Sequence, residues 1–285
     1  MEATEAPDRQ RVNAAASVSA KQTPINDKHA TSGIDQLYQQ GSARIRFPDQ
    51  QSSAVHAVLL NTAGGLTGDD HIQWQGTAGT GARLIMTTAA CEKIYRTHGP
   101  AARQTTRLGV EGGSRLDWLP QESIAFNGSS LERTLDVRIA GSGSCLLVES
   151  VILGRQAMNE AFDNLYIHDK WRVYRNGSLL HAEDFRLDTR SGMNATQSSM
   201  LLHYSAISTL VLVAERRSEW FDIQKQNVLQ LGTTDKNKLN VAVTHLPYKL
   251  VVRTLAINSF HLRQFLIPCI ELLNDGEPIP AVWKV

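Results

Sequence analysis

Residues 135–153 read Leu135-Asp136-Val137-Arg138-Ile139-Ala140-Gly141-Ser142-Gly143-Ser144-Cys145-Leu146-Leu147-Val148-Glu149-Ser150-Val151-Ile152-Leu153. The first five alternate apolar and charged, the period of a strand that turns one face inward. Gly141-Ser142-Gly143-Ser144 lacks the third glycine and the opening helix of a dinucleotide fingerprint, and reads as a turn. Residues 145–153 then form an apolar run broken only by Glu149 and Ser150. Strand, glycine turn, strand is the rhythm of a β protein, and it extends both ways. Before it, residues 44–47, 54–60, 83–88, 104–110 and 115–119 are strand-like, separated by Gly79/Gly81, Gly99-Pro100 and Gly112-Gly113. After it, residues 171–174 and 179–182 flank Asn176-Gly177, a tight-hairpin signal. Turns at intervals of about 8 to 12 residues point to an antiparallel sandwich, a barrel or a coiled β architecture rather than βαβ units.

The last third is mixed. Residues 209–214 and 249–257 read as strands. Residues 218–231 form a helix with Ser218 as its cap and Gly232 as its stop. Residues 259–274 are the best helix of the chain, with Leu262, Phe265, Leu266, Cys269 and Leu273 on one face. Pro268 lies inside it and predicts a kink or a split. That stripe favours the core over a partner contact as the place of this helix.

The chain has 285 residues, 42% of them hydrophobic and 20% charged, enough to bury a sizeable core. Lys plus Arg is 29 and Asp plus Glu is 28, so the net charge of +1 gives no global electrostatic case for nucleic acid or an anionic membrane. No apolar run approaches the roughly 20 residues of a membrane span. Cys91, Cys145 and Cys269 are too dispersed for a disulfide framework or a structural zinc site. In residues 1–30 the large apolar residues are only Met1, Val12, Val18 and Ile25. Such a segment predicts a disordered tail, followed by one β-rich domain over 31–285 with two helices in its C-terminal third. Glu2, Glu5 and Asp8 argue against a transit peptide and no secretory core is present, so the expected location is cytoplasmic.

Catalytic motifs are scarce. Gly64-Gly65-Leu66-Thr67-Gly68-Asp69-Asp70 is glycine-rich, but two carboxylates follow where a phosphate loop needs positive charge. The nine histidines are scattered, without HExxH spacing, and GxSxG is absent. Asp69-Asp70-His71 is the densest polar trio; it reads as a solvated turn, with a metal-assisted hydrolase as the alternative. Glu149 is more informative. A carboxylate in a buried run must be paired, with Lys93 or Arg155 as candidates, or face a wet interior able to pass a divalent ion on oxygen ligands.

Taken together, these segments resemble the urease accessory protein UreD (UreH) family. Gly64–Asp70 is similar to its GGxxxGD turn, and Thr87-Thr88-Ala89-Ala90-Cys91-Glu92-Lys93-Ile94-Tyr95-Arg96 to its TTqaAtKvYR segment. Leu116-Asp117-Trp118-Leu119-Pro120-Gln121-Glu122 matches LewlPqe, followed by Ile124–Ser129. Leu153-Gly154-Arg155-Gln156-Ala157-Met158-Asn159-Glu160 is similar to lGRxaxGE. The resemblance implies a β-rich, helix-like stack of strands with two helices. It also implies a non-catalytic chaperone of nickel insertion that binds apo-urease and UreF and, through UreF, the GTPase UreG, and that conducts nickel to the urease active site; the alternative is a purely structural module that bridges these partners. No cofactor is held stably; nickel is in transit. Carried over by residue, Asp70, Glu149 and Glu160 are expected to line or gate the ion's path, with Lys93, Tyr95, Arg96 and Arg155 in support. The sequence departs from the pattern at Asp69 and Asn159, where the family has glycine, and at Ala281, where its PRxW ending has arginine.

Overall fold

The computed structural model describes residues 11–26, 29–48, 52–155, 163–190, 201, 203–233 and 237–284. Two sheets run along the molecule. The first is ordered β14 (Ser178–Asp188), β13 (Tyr166–Arg175), β11 (Ser130–Ile139), β8 (Ala102–Val110), β5 (His71–Ala78), β1 (Asn13–Asn26) and β2 (His29–Gln40). The second is ordered β16 (Leu239–Leu246), β17 (Lys249–Ala256), β15 (Ala206–Val213), β12 (Ser144–Leu153), β9 (Arg115–Leu119), β6 (Arg83–Thr88), β4 (Val55–Asn61) and β3 (Ala43–Arg46). The short β7 (Glu92–Ile94) and β10 (Ser123–Ala125) pair with each other, and β10 also pairs with β12.

The inner pairs are parallel: β1–β5, β5–β8, β8–β11 and β11–β13 in one sheet, β4–β6, β6–β9 and β9–β12 in the other. This corrects the antiparallel expectation and selects the coiled architecture. Strands next to each other in sequence, such as β5 and β6 or β11 and β12, lie in opposite sheets, and each pairs with its equivalent one coil away. Antiparallel pairs are confined to the ends of the path, including the β13–β14 hairpin. There Asn176 and Gly177 take φ of 48° and 80°, the left-handed pair that such a turn requires. The result is a β-solenoid-like stack with two helices near the C-terminus.

The opening stretch is explained by its place in this stack. Leu135, Val137 and Ile139 of β11 point into the core between the sheets. Strand β12 is buried on both faces, with Cys145 and Leu147 toward that core and Leu146 and Val148 toward the helices. A strand covered on both sides has no reason to alternate.

The expectation of a tail over residues 1–30 is overturned where it can be seen. Ala14, Ala16, Val18 and Ala20 of β1 are buried in the inter-sheet core, and β1 pairs in parallel with β5 over eight residues. Alone, small residues bury too little apolar area to order a segment; against a closely approaching second sheet, alanine is the side chain that fits. Residues 1–10 lie outside the described residues.

Helix α1 (Ser218–Leu231) has the expected extent, but Arg217 is its N-cap, without a side-chain hydrogen bond, and Ser218 is already helical. Helix α2 (Ser259–Leu273) is capped by Asn258, whose side chain accepts from the His261 amide. Pro268 does not split it: the helix is continuous, held by the predicted stripe, which packs in the core between sheet and helices.

Candidate functional site

Two polar constructions stand out. The first is the Gly64–Asp70 turn. Asp70 is buried, and both its oxygens accept backbone amides: Oδ1 from Val12 at 2.8 Å and Oδ2 from Thr67 at 2.7 Å. It thereby pins the start of the N-terminal strand to the turn, reinforced by His71 N–H to Val12 O at 2.7 Å. Asp69 takes φ of 67°, the conformation for which the family's glycine is suited. Leu66 bridges Ile94, so the turn is sewn to β7 through Leu66 N–H to Lys93 O and Tyr95 N–H to Leu66 O. A Cβ at Gly65 would strike the Tyr95 ring and the Lys93 carbonyl.

The remaining motif residues gather around the same turn. The Tyr95 hydroxyl donates to Gly64 O at 3.2 Å and its ring meets Phe126 edge-on at 5.2 Å. Arg155 lies over the Phe126 ring at 4.5 Å, and Arg96 Nε donates to Asn127 O. Lys93, Tyr95, Arg96 and Arg155 are exposed. Lys93 and Arg155 do not hold Glu149, which corrects the pairing expected from sequence. Glu160 and Asn159 lie outside the described residues. Nearby, Glu92 accepts from Asn61 Nδ2 at 3.1 Å; burial, with the Asp70 charge adding to it, pushes its carboxyl up to about 7.

The second construction surrounds Glu149, whose partner is Arg133. Arg133 and Asp169 are register partners on β11 and β13, and both face the second sheet. Glu149 reaches them from β12. Arg133 Nη1 lies 2.6 Å from Glu149 Oε2, and Nη2 lies 2.6 Å from Asp169 Oδ2. Each carboxylate gives its other oxygen to an indole: Trp118 Nε1 donates to Glu149 at 2.8 Å, and Trp171 Nε1 to Asp169 at 2.9 Å. Burial pushes the Glu149 carboxyl up, with Asp169 adding to it and Arg133 and Trp118 opposing.

Arg133, Glu149 and Asp169 border a cavity of about 300 Å³. It lies between β14 of one sheet and β15, β16 and β17 of the other, and its lining includes the Glu183–Arg253 ion pair, Asn240 and Thr254. Asp70 does not line it. Sequence reasoning found Glu149 and missed Arg133, Asp169, Trp118 and Trp171. The signal was present: Arg133 falls in phase with Leu131 and Leu135, and Asp169 with Ile167 and Trp171, at inward positions of their strands.

Among the described residues no group of three or more His, Cys, Asp or Glu side chains could hold a metal ion together. His71 bonds Thr105 Oγ1, and Asp70 is committed to backbone amides, so the Asp69-Asp70-His71 trio does not converge. No helix among the described residues is long and apolar enough to cross a membrane.

The comparisons point to the same family as the motif segments. The model of the UreD urease accessory protein family matches residues 14–284. The urease accessory protein UreD of Rhizobium leguminosarum bv. viciae is 41% identical over 252 residues, 88% of this chain and 89% of that protein. That of Agrobacterium fabrum is 38% identical over 254 residues, 89% and 86% of the two chains. Urease accessory protein UreD 1 of Brucella abortus biovar 1 is 37% identical over 276 residues, 97% and 95%. With the β-solenoid-like stack and every described motif segment in place along nearly its whole length, the chain belongs to the UreD urease accessory protein family.

Proposed function

We propose that this chain works in urease maturation as the body through which nickel reaches apo-urease, docked to UreF and, through UreF, to the GTPase UreG. Family membership carries the coarser part: the protein is a non-catalytic accessory protein of urease maturation, in a family that takes part in nickel insertion. One observation supports the finer part. Glu149 stands at the wall of a cavity between the two sheets, its carboxylate oriented by Trp118 and shared with a side-chain partner, the Arg133 guanidinium, rather than with backbone amides. Oxygen ligands of this type hold a first-row divalent ion less firmly than histidine or thiolate sets do, which suits passage better than storage.

In this reading Glu149 is a post on the ion's path. Asp70 contributes at one remove, by fixing the turn and the N-terminal strand, and Lys93, Tyr95, Arg96 and Arg155 keep that turn's outer side in place. Glu160 keeps its proposed place on the path. The test is urease activation at limiting nickel with the assembled accessory complex. Glu149→Ala is expected to lower nickel content and urease activity at least about tenfold while UreF, UreG and apo-urease still co-purify. A bulky substitution at Ile207, on the cavity wall, should likewise spare assembly and stop delivery. Unchanged delivery in both variants would leave a bridging module with no conducting role.

A further inference from the structure

We infer that Arg133 is the resident counter-cation of the cavity: its guanidinium fills the place between Glu149 and Asp169 that a divalent cation would otherwise take, and so limits how long a passing ion stays. The inference rests on the passage reading above and adds to it the group that regulates the passage.

The geometry is that of a cradle built for one cation. The two carboxylates come from opposite sheets, and one planar fork spans both at 2.6 Å each. Neither carboxylate depends on Arg133 for its orientation, because Trp118 and Trp171 fix their other oxygens, and both indoles are fully buried. The cradle therefore keeps its shape whichever cation lies in it. Arg133 is held less completely. It is 1% exposed, yet its Nε has no hydrogen-bond partner, and beyond the two carboxylates Nη1 has only a 3.3 Å contact to Ser123 Oγ. A buried guanidinium with an unsatisfied donor is bound mainly by the two charges it bridges. The cavity at its side offers room to move aside. Thr254, whose buried Oγ1 is also without a partner, lines the same space and supplies an oxygen there.

Charge gives the consequence. With both carboxylates ionised the cradle is short of one positive charge, so it attracts a cation, in competition with the proton that burial favours on Glu149. An entering divalent ion must still displace or tolerate a cation already in place. Without the guanidinium, two preoriented carboxylates in a poorly solvated pocket would bind the ion far more strongly, since Coulomb attraction there is little screened. Passage would become a trap.

The experiment titrates Ni²⁺ alone into the full-length chain by calorimetry, then follows urease activation by the assembled complex. Arg133→Gln should bind one equivalent of Ni²⁺ at least about tenfold more tightly than the parent, a conservative reading of removing one like charge at contact distance. Adding Glu149→Gln to it should abolish that gain. In activation assays Arg133→Gln should deliver less nickel and retain it on the chain. Affinity within twofold of the parent, in a variant with unchanged near-ultraviolet circular dichroism, overturns the inference. If Arg133→Gln does not fold, Arg133→Lys carries the test: it keeps a charge but loses the fork, and should tighten Ni²⁺ binding at least about threefold. No change there overturns the inference equally. The two proposals fail differently. If the Glu149 and Ile207 variants both leave delivery intact, both fall; if they stop delivery while the Arg133 variants hold no more nickel, the passage stands and the role of Arg133 falls.

Discussion

Asp70 and Glu149 are both carboxylates buried to almost the same degree, at 4% and 3% exposure, yet the molecule uses them in opposite ways. Asp70 closes on two backbone amides, groups that cannot move without unfolding the turn. Glu149 closes on an indole and a shared guanidinium beside a cavity, and in the proposed passage that guanidinium gives way to another cation. Burial alone therefore does not single out one of the two. On that proposal, what distinguishes them is whether the partner is replaceable. Position follows the same division, because Asp70 precedes β5, two strands away from Arg133 on β11.

The sharpest way to break this comparison is to measure stability and nickel delivery on both sides of it. Asp70→Ala should cost about 2–4 kcal/mol, since two buried amides lose a charged acceptor and the N-terminal strand loses its pin. Urea denaturation reads this, and delivery per folded molecule should stay within about twofold. Glu149→Gln should show the reverse. It turns a cluster of two anions and one cation into a balanced pair, so its stability cost should be no more than ~1 kcal/mol, while delivery falls. A large stability loss in Glu149→Gln would place it in the same class as Asp70.

A smaller effect sharpens the picture of the turn. Glu92 lies behind it, part-buried, with its carboxyl raised from 4.5 to about 7, chiefly by burial. Between those values the folded chain binds more protons than the unfolded one, so this group's contribution falls as pH rises through the window. Full burial would make the shift worth about 3 kcal/mol, and residual exposure reduces it to ~1–2 kcal/mol. Glu92→Gln should therefore stabilise the protein by that amount at pH 8, have almost no effect near pH 4.5, and flatten the slope between. Thermal denaturation across the range measures it; an unchanged slope would mean that Glu92 is solvated as an ordinary surface carboxylate.

How much of this was legible in the sequence depends on which interaction set each feature. The strands that carry their own period or apolar run, such as β11, β12 and α2's stripe, were readable because burial is written into their residues. Strand β1 was not, because its core side chains are mostly alanines whose burial depends on how closely a second sheet approaches. The parallel pairing was not readable either, since local turn spacing is the same whether a chain folds back beside itself or crosses to the facing sheet. At the candidate site Glu149 was visible as a charge in an apolar run. Arg133 and Asp169 sit in alternating strands, where a charge every second residue looks ordinary unless its phase is tracked. The identity of Glu149's partner was beyond sequence, because it depends on two strands of the first sheet lying opposite β12.

The smallest expected effect lies in the turn itself. Asp69 holds φ of 67°, a conformation in which a Cβ is disfavoured, although aspartate tolerates it better than most residues. Asp69→Gly restores the family's residue and removes that cost, at the expense of a more flexible unfolded chain. The two terms oppose each other, so the net gain should be about 0.5 kcal/mol, read as a small shift of the urea midpoint at constant slope. Nickel delivery should be unchanged, because the Asp70 bonds to Val12 and Thr67 need the turn's conformation and not the side chain at position 69. A loss of stability instead would mean that the exposed Asp69 carboxylate contributes more to the turn than its backbone conformation costs. The boundary between the fixed region and the exchangeable one would then have to be drawn within the turn.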